Sequence, residues 1–283
     1  MRRKYFFICL SFCLSVGAAQ NSSKIKFETP KEKQKRILAG ISILSAEYIA
    51  GYSLAYSMWW PEGFRAINPF SNIGEKEPFI VDDLIHSIGN ASSQEIHYAI
   101  LKTYFHIESP WPSMILTSLS WFSIEVLDAM EKRNGWRLSI NDELGNLAGM
   151  ALWYYRYQHP ESRLFLRLGF RQWGEASDYI KSLPLLFTDR DAYGRKHNHD
   201  KYAILKTELI YLFENNFYAG AAVSRASANS SKNVWGLTIG LDISNILNQS
   251  TQGWWNKPIG FFQRHFTLNL SFTYWDDGKL TPI

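Results

Sequence analysis

Three pairs of polar residues stand at helical spacing and are the chain's best candidates for chemistry. Asp82 and His86 are four apart in VDDLIH, Glu125 and Asp128 three apart in SIEVLD, and Asp142 and Asn146 four apart in NDELGN. Residues three or four apart share one face of a helix, so each pair presents both side chains in the same direction. If the three faces converge, one pocket holds several carboxylates, an imidazole and an amide. Such a set suits a divalent metal, or general acid/base work by a histidine tuned by its carboxylate neighbours. Structural roles are open to the same residues. Asp82 can oppose the dipole at a helix start, and Asp142 stands three residues after Ser139, as in a capping box. Gly145 and Gly149 form a small-xxx-small pair that lets two helices approach with no chemistry required.

Other candidates carry less. His197-Asn198-His199-Asp200 could chelate a metal, but a charged tract between strands reads as a solvated loop. Trp59-Trp60, Trp111 and Trp254-Trp255 suit interfacial anchoring or plain packing. The sequence has no G-x-S-x-G, P-loop, Rossmann glycines or zinc-ligand cysteine pairs, so no recognised catalytic motif is present. The sequence leaves cofactor and metal open.

The elements that would position the three pairs follow from periodicity. An apolar run from Ile37 to Trp60, with Glu47 in its middle, reads as a helix, as does Ile80 to Phe105 after Pro78. Ser113 to Arg133 is a third, stopped by Asn134-Gly135, and Ser139 to about Tyr157 a fourth, stopped by Pro160. Charged residues interrupt these helices, which favours packed helices over inner-membrane spans. After Ser162 the period becomes two. Lys201–Phe213, Val234–Ile243 and Phe266–Trp275 alternate, and Arg163–Trp173 and Phe217–Val223 add two more strands. Such alternation fits a partial or membrane-associated barrel, though a bacterial barrel needs at least about eight strands. The other reading is an antiparallel sheet with one face on the helices and the other wet.

Met1 to Ala19 has a basic start, an apolar stretch from Tyr5 to Val16, and small residues at Gly17 and Ala19. That is the anatomy of a secretory signal peptide, with cleavage expected before Gln20. Phe12 before Cys13 and Ile8 before Cys9 argue against lipid attachment. Arg2, Arg3 and Lys4 belong to this leader, and without them 27 basic residues face 26 acidic ones. Such balance leaves no nucleic-acid footprint. Aromatic residues at 16% suit a protein that meets a membrane or lipid surface.

The stretch from Trp59 to Gly149 resembles the YfiM-type family of predicted periplasmic lipoproteins, and is distantly similar to the VanZ-like membrane proteins. Asp82 and His86 match the family's D-K-x-x-H element, and Glu125 and Asp128 its E-x-x-D. Trp136, Ser139, Asp142, Asn146 and Gly149 match W-G-x-S-x-x-D-x-x-x-N-x-x-G. Asp83 replaces the family's lysine, and the lipoprotein cysteine is absent. The resemblance implies an envelope protein without an assigned enzyme class.

The sequence therefore predicts an α+β chain: a leader over 1–19, a helical region over 20–160 and an antiparallel β region over 161–283. The expected function is that of an exported, non-enzymatic envelope protein of the periplasm or outer membrane. The alternative is a periplasmic or membrane-surface hydrolase using Asp82, His86, Glu125, Asp128, Asp142 and Asn146, with or without a metal.

Overall fold

The computed structural model describes residues 28–58, 60, 63–71, 73–74, 80–131, 138–171, 205–225, 232–250, 256–266, 269–276 and 278–282. The leader, Trp59, Trp136, the 197–200 tract and Trp254-Trp255 lie outside the described residues. Four long helices come first: α1 (Pro30–Met58), α2 (Ile80–Phe105), α3 (Trp111–Met130) and α4 (Ile140–Gln158). Their ends have local causes. Thr29 Oγ1 accepts from the Glu32 backbone N–H while the Glu32 carboxylate accepts from Thr29 N, a reciprocal cap ahead of Pro30. Helix α2 stops where His106 takes a positive φ of 56° and Ile107 N–H closes back on Leu101 O. Helix α3 ends at Met130, three residues short of the expected Arg133, because Glu131 turns to extended backbone.

Helix α2 is the centre of the helical half, packed by α1, α3 and α4. Its approach to α4 is backbone to backbone. A Cβ at Gly145 would stand 2.4 Å from Asp83 O, and one at Gly149 2.2 Å from Ser87 O. These two glycines set the distance at which the site residues meet.

Six strands follow as an antiparallel meander in the order β1 (Leu164–Phe170), β2 (Leu205–Leu212), β3 (Phe217–Arg225), β4 (Asn233–Asp242), β5 (Asn269–Trp275) and β6 (Leu280–Pro282). The sheet does not close into a barrel among the described residues. Between β4 and β5 run α5 (Ile243–Ser250) and α6 (Asn256–His265). The alternation predicts strand through Ile243, but Asp242 Oδ1 accepts from Asn245 N–H at 2.9 Å and starts α5 there.

The sheet's outer face is apolar and exposed, and its inner face holds buried charges beside two buried apolar clusters, Phe165, Ile210, Leu212 and Tyr218, and Ala222, Val234 and Trp275. Leu209, Tyr211, Trp235, Phe272 and Tyr274 are exposed, with Leu237 71% and Ile239 61% exposed. The register runs Leu166, Leu209, Ala221, Leu237, Tyr274 and Leu280 side by side across all six strands. The opposite face carries Arg167, Lys206, Glu208, Thr238, Asp242, Ser271 and Thr273, all buried. Lys206 pairs with Glu208 at 2.6 Å and Arg167 with Asp242 at 2.7 Å, every partner at 0% exposure. Thr238 Oγ1 donates to Glu208 and Lys206 Nζ donates to Thr273, which satisfies buried charge with hydroxyls.

The two halves are joined at α2 and α6. Ile96 and Ile100 pack on Phe261, and Glu95 takes a two-pronged contact from Arg264 and a further one from His265 Nε2 at 2.9 Å. Burial pushes His265 down to about 4, against the opposing pull of Glu95. Burial by itself would raise Glu95, but the Arg264 charge and the His265 contact outweigh it and hold the carboxyl well below its ordinary value.

Candidate functional site

Each of the three helices α2, α3 and α4 supplies one side chain to a common point. His86 comes from the first half of α2, Glu125 from α3 and Asp142 from the first turn of α4. His86 Nδ1 lies 3.5 Å from Glu125 Oε1, and His86 Nε2 lies 3.7 Å from Asp142 Oδ1. One ligand atom from each residue lies within 4.8 Å of the other two. The imidazole thus has a carboxylate at each ring nitrogen. Glu125 is the inner one, 1% exposed, whereas Asp142 and His86 keep 20% and 15% of their side chains accessible.

Local sequence explains the placement. Ser139 Oγ caps α4 by accepting from the Asp142 backbone N–H at 3.1 Å. Asp142 therefore serves the cap with its main chain and is free to send its carboxylate to His86. Gly145, one turn on, removes the side chain that would collide with His86 Cβ at 3.1 Å. Trp121 stands edge-on to the His86 ring at 5.4 Å, over Gly89, where a Cβ would meet the indole at 2.6 Å. That indole gives the imidazole an apolar wall. Its Nε1–H donates to Ser93 Oγ.

Of the six residues expected in one pocket, His86, Glu125 and Asp142 come together. Asn146 is buried on the same face of α4, one turn beyond Asp142. Beside it, burial pushes the Glu143 carboxyl above its ordinary value, with Asn146 and His86 acting in the opposite direction. Asp128 takes another partner, the indole N–H of the fully buried Trp60, which ties the segment after α1 to α3. Asp82 stands in the first turn of α2, and its side chain lies outside the described residues.

A second imidazole–carboxylate contact was not among the expected site residues. His97 Nδ1 shares a 2.6 Å hydrogen bond with Thr117 Oγ1, and Nε2 lies 3.4 Å from Glu47 Oε1. Tyr48 stacks on the His97 ring at 5.7 Å. The order hydroxyl, imidazole, carboxylate is that of a nucleophilic triad, but Thr117 is 0% exposed and beyond a substrate's reach. Glu47 inside an apolar helix was the signal that such a partner existed.

Chemically, the His86 site can act in two ways. The buried Glu125 can hold the ring through Nδ1 while Nε2 exchanges protons at the accessible side. Alternatively, the nitrogen and two carboxylates can ligate a cation. No family model matches the chain, and comparison with the curated proteins and with the solved structures gave no match.

Proposed function

We propose that this chain is an exported cell-envelope protein that docks on a lipid membrane through the outer face of its sheet. The observation that supports the reading is the polarity of that sheet. Its outer face is apolar in continuous rows, while the lysine, arginine and carboxylates lie on the inner face beside the buried clusters of Phe165, Ile210, Leu212 and Tyr218 and of Ala222, Val234 and Trp275. In water that arrangement forfeits the burial of every outward Leu, Ile, Phe and Trp; against acyl chains it is the favourable one. The helices add to it, since Ile115 and Leu119 on α3 and Leu144 and Leu147 on α4 are also exposed. Among the described residues no helix is long and apolar enough to cross a membrane, so docking falls to the sheet. The leader over residues 1–19 and the YfiM-type resemblance accord with an envelope location.

The test is carbonate extraction of cells and flotation of the purified chain with phospholipid vesicles. The protein should stay with the membrane and float with vesicles. Leu237→Lys with Phe272→Lys should release it, since a lysine facing lipid costs about 2–4 kcal/mol at mid-bilayer depth. Recovery of the wild type only from the soluble periplasm overturns the reading. A second reading, hydrolysis at the membrane surface, is favoured by one observation: His86 lies between an inner and an accessible carboxylate. Loss of ester or amide turnover in His86→Ala would be its signature.

A further inference from the structure

We propose that His86, Glu125 and Asp142 form a binding site for one divalent transition-metal cation, an assignment that stands apart from membrane docking. One imidazole and two carboxylates make a mixed nitrogen and oxygen donor set. Zinc, manganese and iron(II) take such sets, whereas calcium and magnesium prefer oxygen alone. At 3.5 and 3.7 Å the contacts are longer than good hydrogen bonds. One ligand atom from each of the three residues lies within 4.8 Å of the other two, and donors about 2.1 Å from a tetrahedral ion stand about 3.4 Å apart, so the side chains close in on the ion as it binds. The ring offers Nδ1 to one carboxylate and Nε2 to the other, so the ion takes one nitrogen and a side-chain rotation closes the second carboxylate onto it.

A second feature points the same way. His86 Nδ1 is buried and makes no hydrogen bond among the described residues, and neither does the Oδ1 of Asn146, which is 4% exposed on the Asp142 face of α4. His97 is the built-in contrast: its Nδ1 is engaged by Thr117 at normal hydrogen-bond length, so that ring has no nitrogen to spare on that side. The accessible edges of Asp142 and His86 give the ion an entry path.

The experiment uses the full chain in detergent, stripped with a chelator and titrated with cobalt(II) as a spectroscopic probe, then with zinc(II) in competition. About one equivalent should bind, with visible absorption typical of low-coordinate cobalt and displacement by zinc but not by excess magnesium. Asp142→Asn and Glu125→Gln, which keep side-chain shape, should each weaken binding at least about tenfold. His86→Ala should abolish the absorption, whereas His97→Ala should leave it. Circular dichroism of each variant establishes that it is folded. A folded wild type that binds no stoichiometric cobalt or zinc overturns the assignment, as does retention of full affinity in Asp142→Asn and Glu125→Gln. Loss of vesicle flotation with cobalt binding intact would sink the docking reading and leave this one standing.

Discussion

The helical half and the sheet half both hide polar groups behind an apolar exterior, but they neutralise them differently. In the sheet, Lys206 meets Glu208 and Arg167 meets Asp242, at 2.6 and 2.7 Å. Thr238, Ser271 and Thr273 complete the network with hydroxyls. In the helices a single imidazole lies between two carboxylates at 3.5 and 3.7 Å. In the sheet each carboxylate is met by a cation at close contact. A longer contact with one ring and two carboxylates is built to take up a cation or a proton. Among the described residues, buried charge is held at ion-pair distance in the sheet and at longer range around His86 in the helices.

The largest test of that contrast is in the sheet. Lys206→Met takes from buried Glu208 the cation that stands 2.6 Å from it, and breaking such a buried pair costs about 3–5 kcal/mol. Urea unfolding should show that loss, and Lys206→Met with Glu208→Leu should recover most of it by removing both charges. A neutral single variant would mean that the inner face of the sheet is not held by ion pairs.

Acid should act next, at the joint between the halves. An unfolded histidine titrates near its ordinary 6.5, whereas folded His265 is pushed down to about 4. Between those values the unfolded chain binds a proton that the folded chain refuses, so stability falls as pH drops through that window and is level above it. Glu95 adds to the same trend. Its carboxyl is held below the ordinary 4.5, so the stability it contributes is lost as pH falls further. The His265 window alone amounts to about 3 kcal/mol, and Glu95 adds to it. Unfolding midpoints measured across this range should show it, and His265→Gln should flatten the upper part of the slope.

Helix approach is the third lever. Gly149→Ala places a methyl 2.2 Å from Ser87 O, so α4 must move off α2. Overpacking of this kind costs about 1–3 kcal/mol and should weaken the His86–Asp142 contact with it. Gly51→Ala on α1 is the control, since its methyl meets nothing within 4 Å. There the change should stabilise by about 0.5–1 kcal/mol through helix propensity alone. Thermal melts of the two variants should move in opposite directions.

Much of this arrangement is legible in the sequence, and the gaps have physical causes. Helical spacing brings His86 and Asp142 to facing surfaces because Gly145 and Gly149 mark the face on which α4 meets α2. Strict alternation locates β2, β4 and β5 for the same kind of reason: a pleated strand shows its two environments in every second residue. Asp128 shares its helical face with Glu125, yet its partner Trp60 comes from another segment, which spacing along α3 does not contain. The pair Glu47 and His97 joins two helices and is invisible until they pack. Helices α5 and α6 escape because Ile243 continues the alternation of β4 up to the Asp242 cap. Periodicity also says that two faces differ without saying which one looks inward, and here the face that carries the charged residues does.

The smallest effect concerns the single residue that serves both the fold and the site. Ser139 Oγ accepts from the Asp142 main chain, and the Asp142 side chain goes to His86. Ser139→Ala removes the cap and should cost about 1 kcal/mol, with Ser139→Asp restoring it because aspartate caps equally well. Asp142→Asn keeps the backbone donor, so the cap survives and stability should change less than in Ser139→Ala, while the contact with His86 loses its charge. Combining Ser139→Ala with His86→Ala then separates the two roles. If the cap only stabilises α4, the two changes add within about 0.5 kcal/mol in denaturant unfolding. If it also holds Asp142 in register with the imidazole, the double variant loses less than the sum, because the first change has already loosened what the second removes.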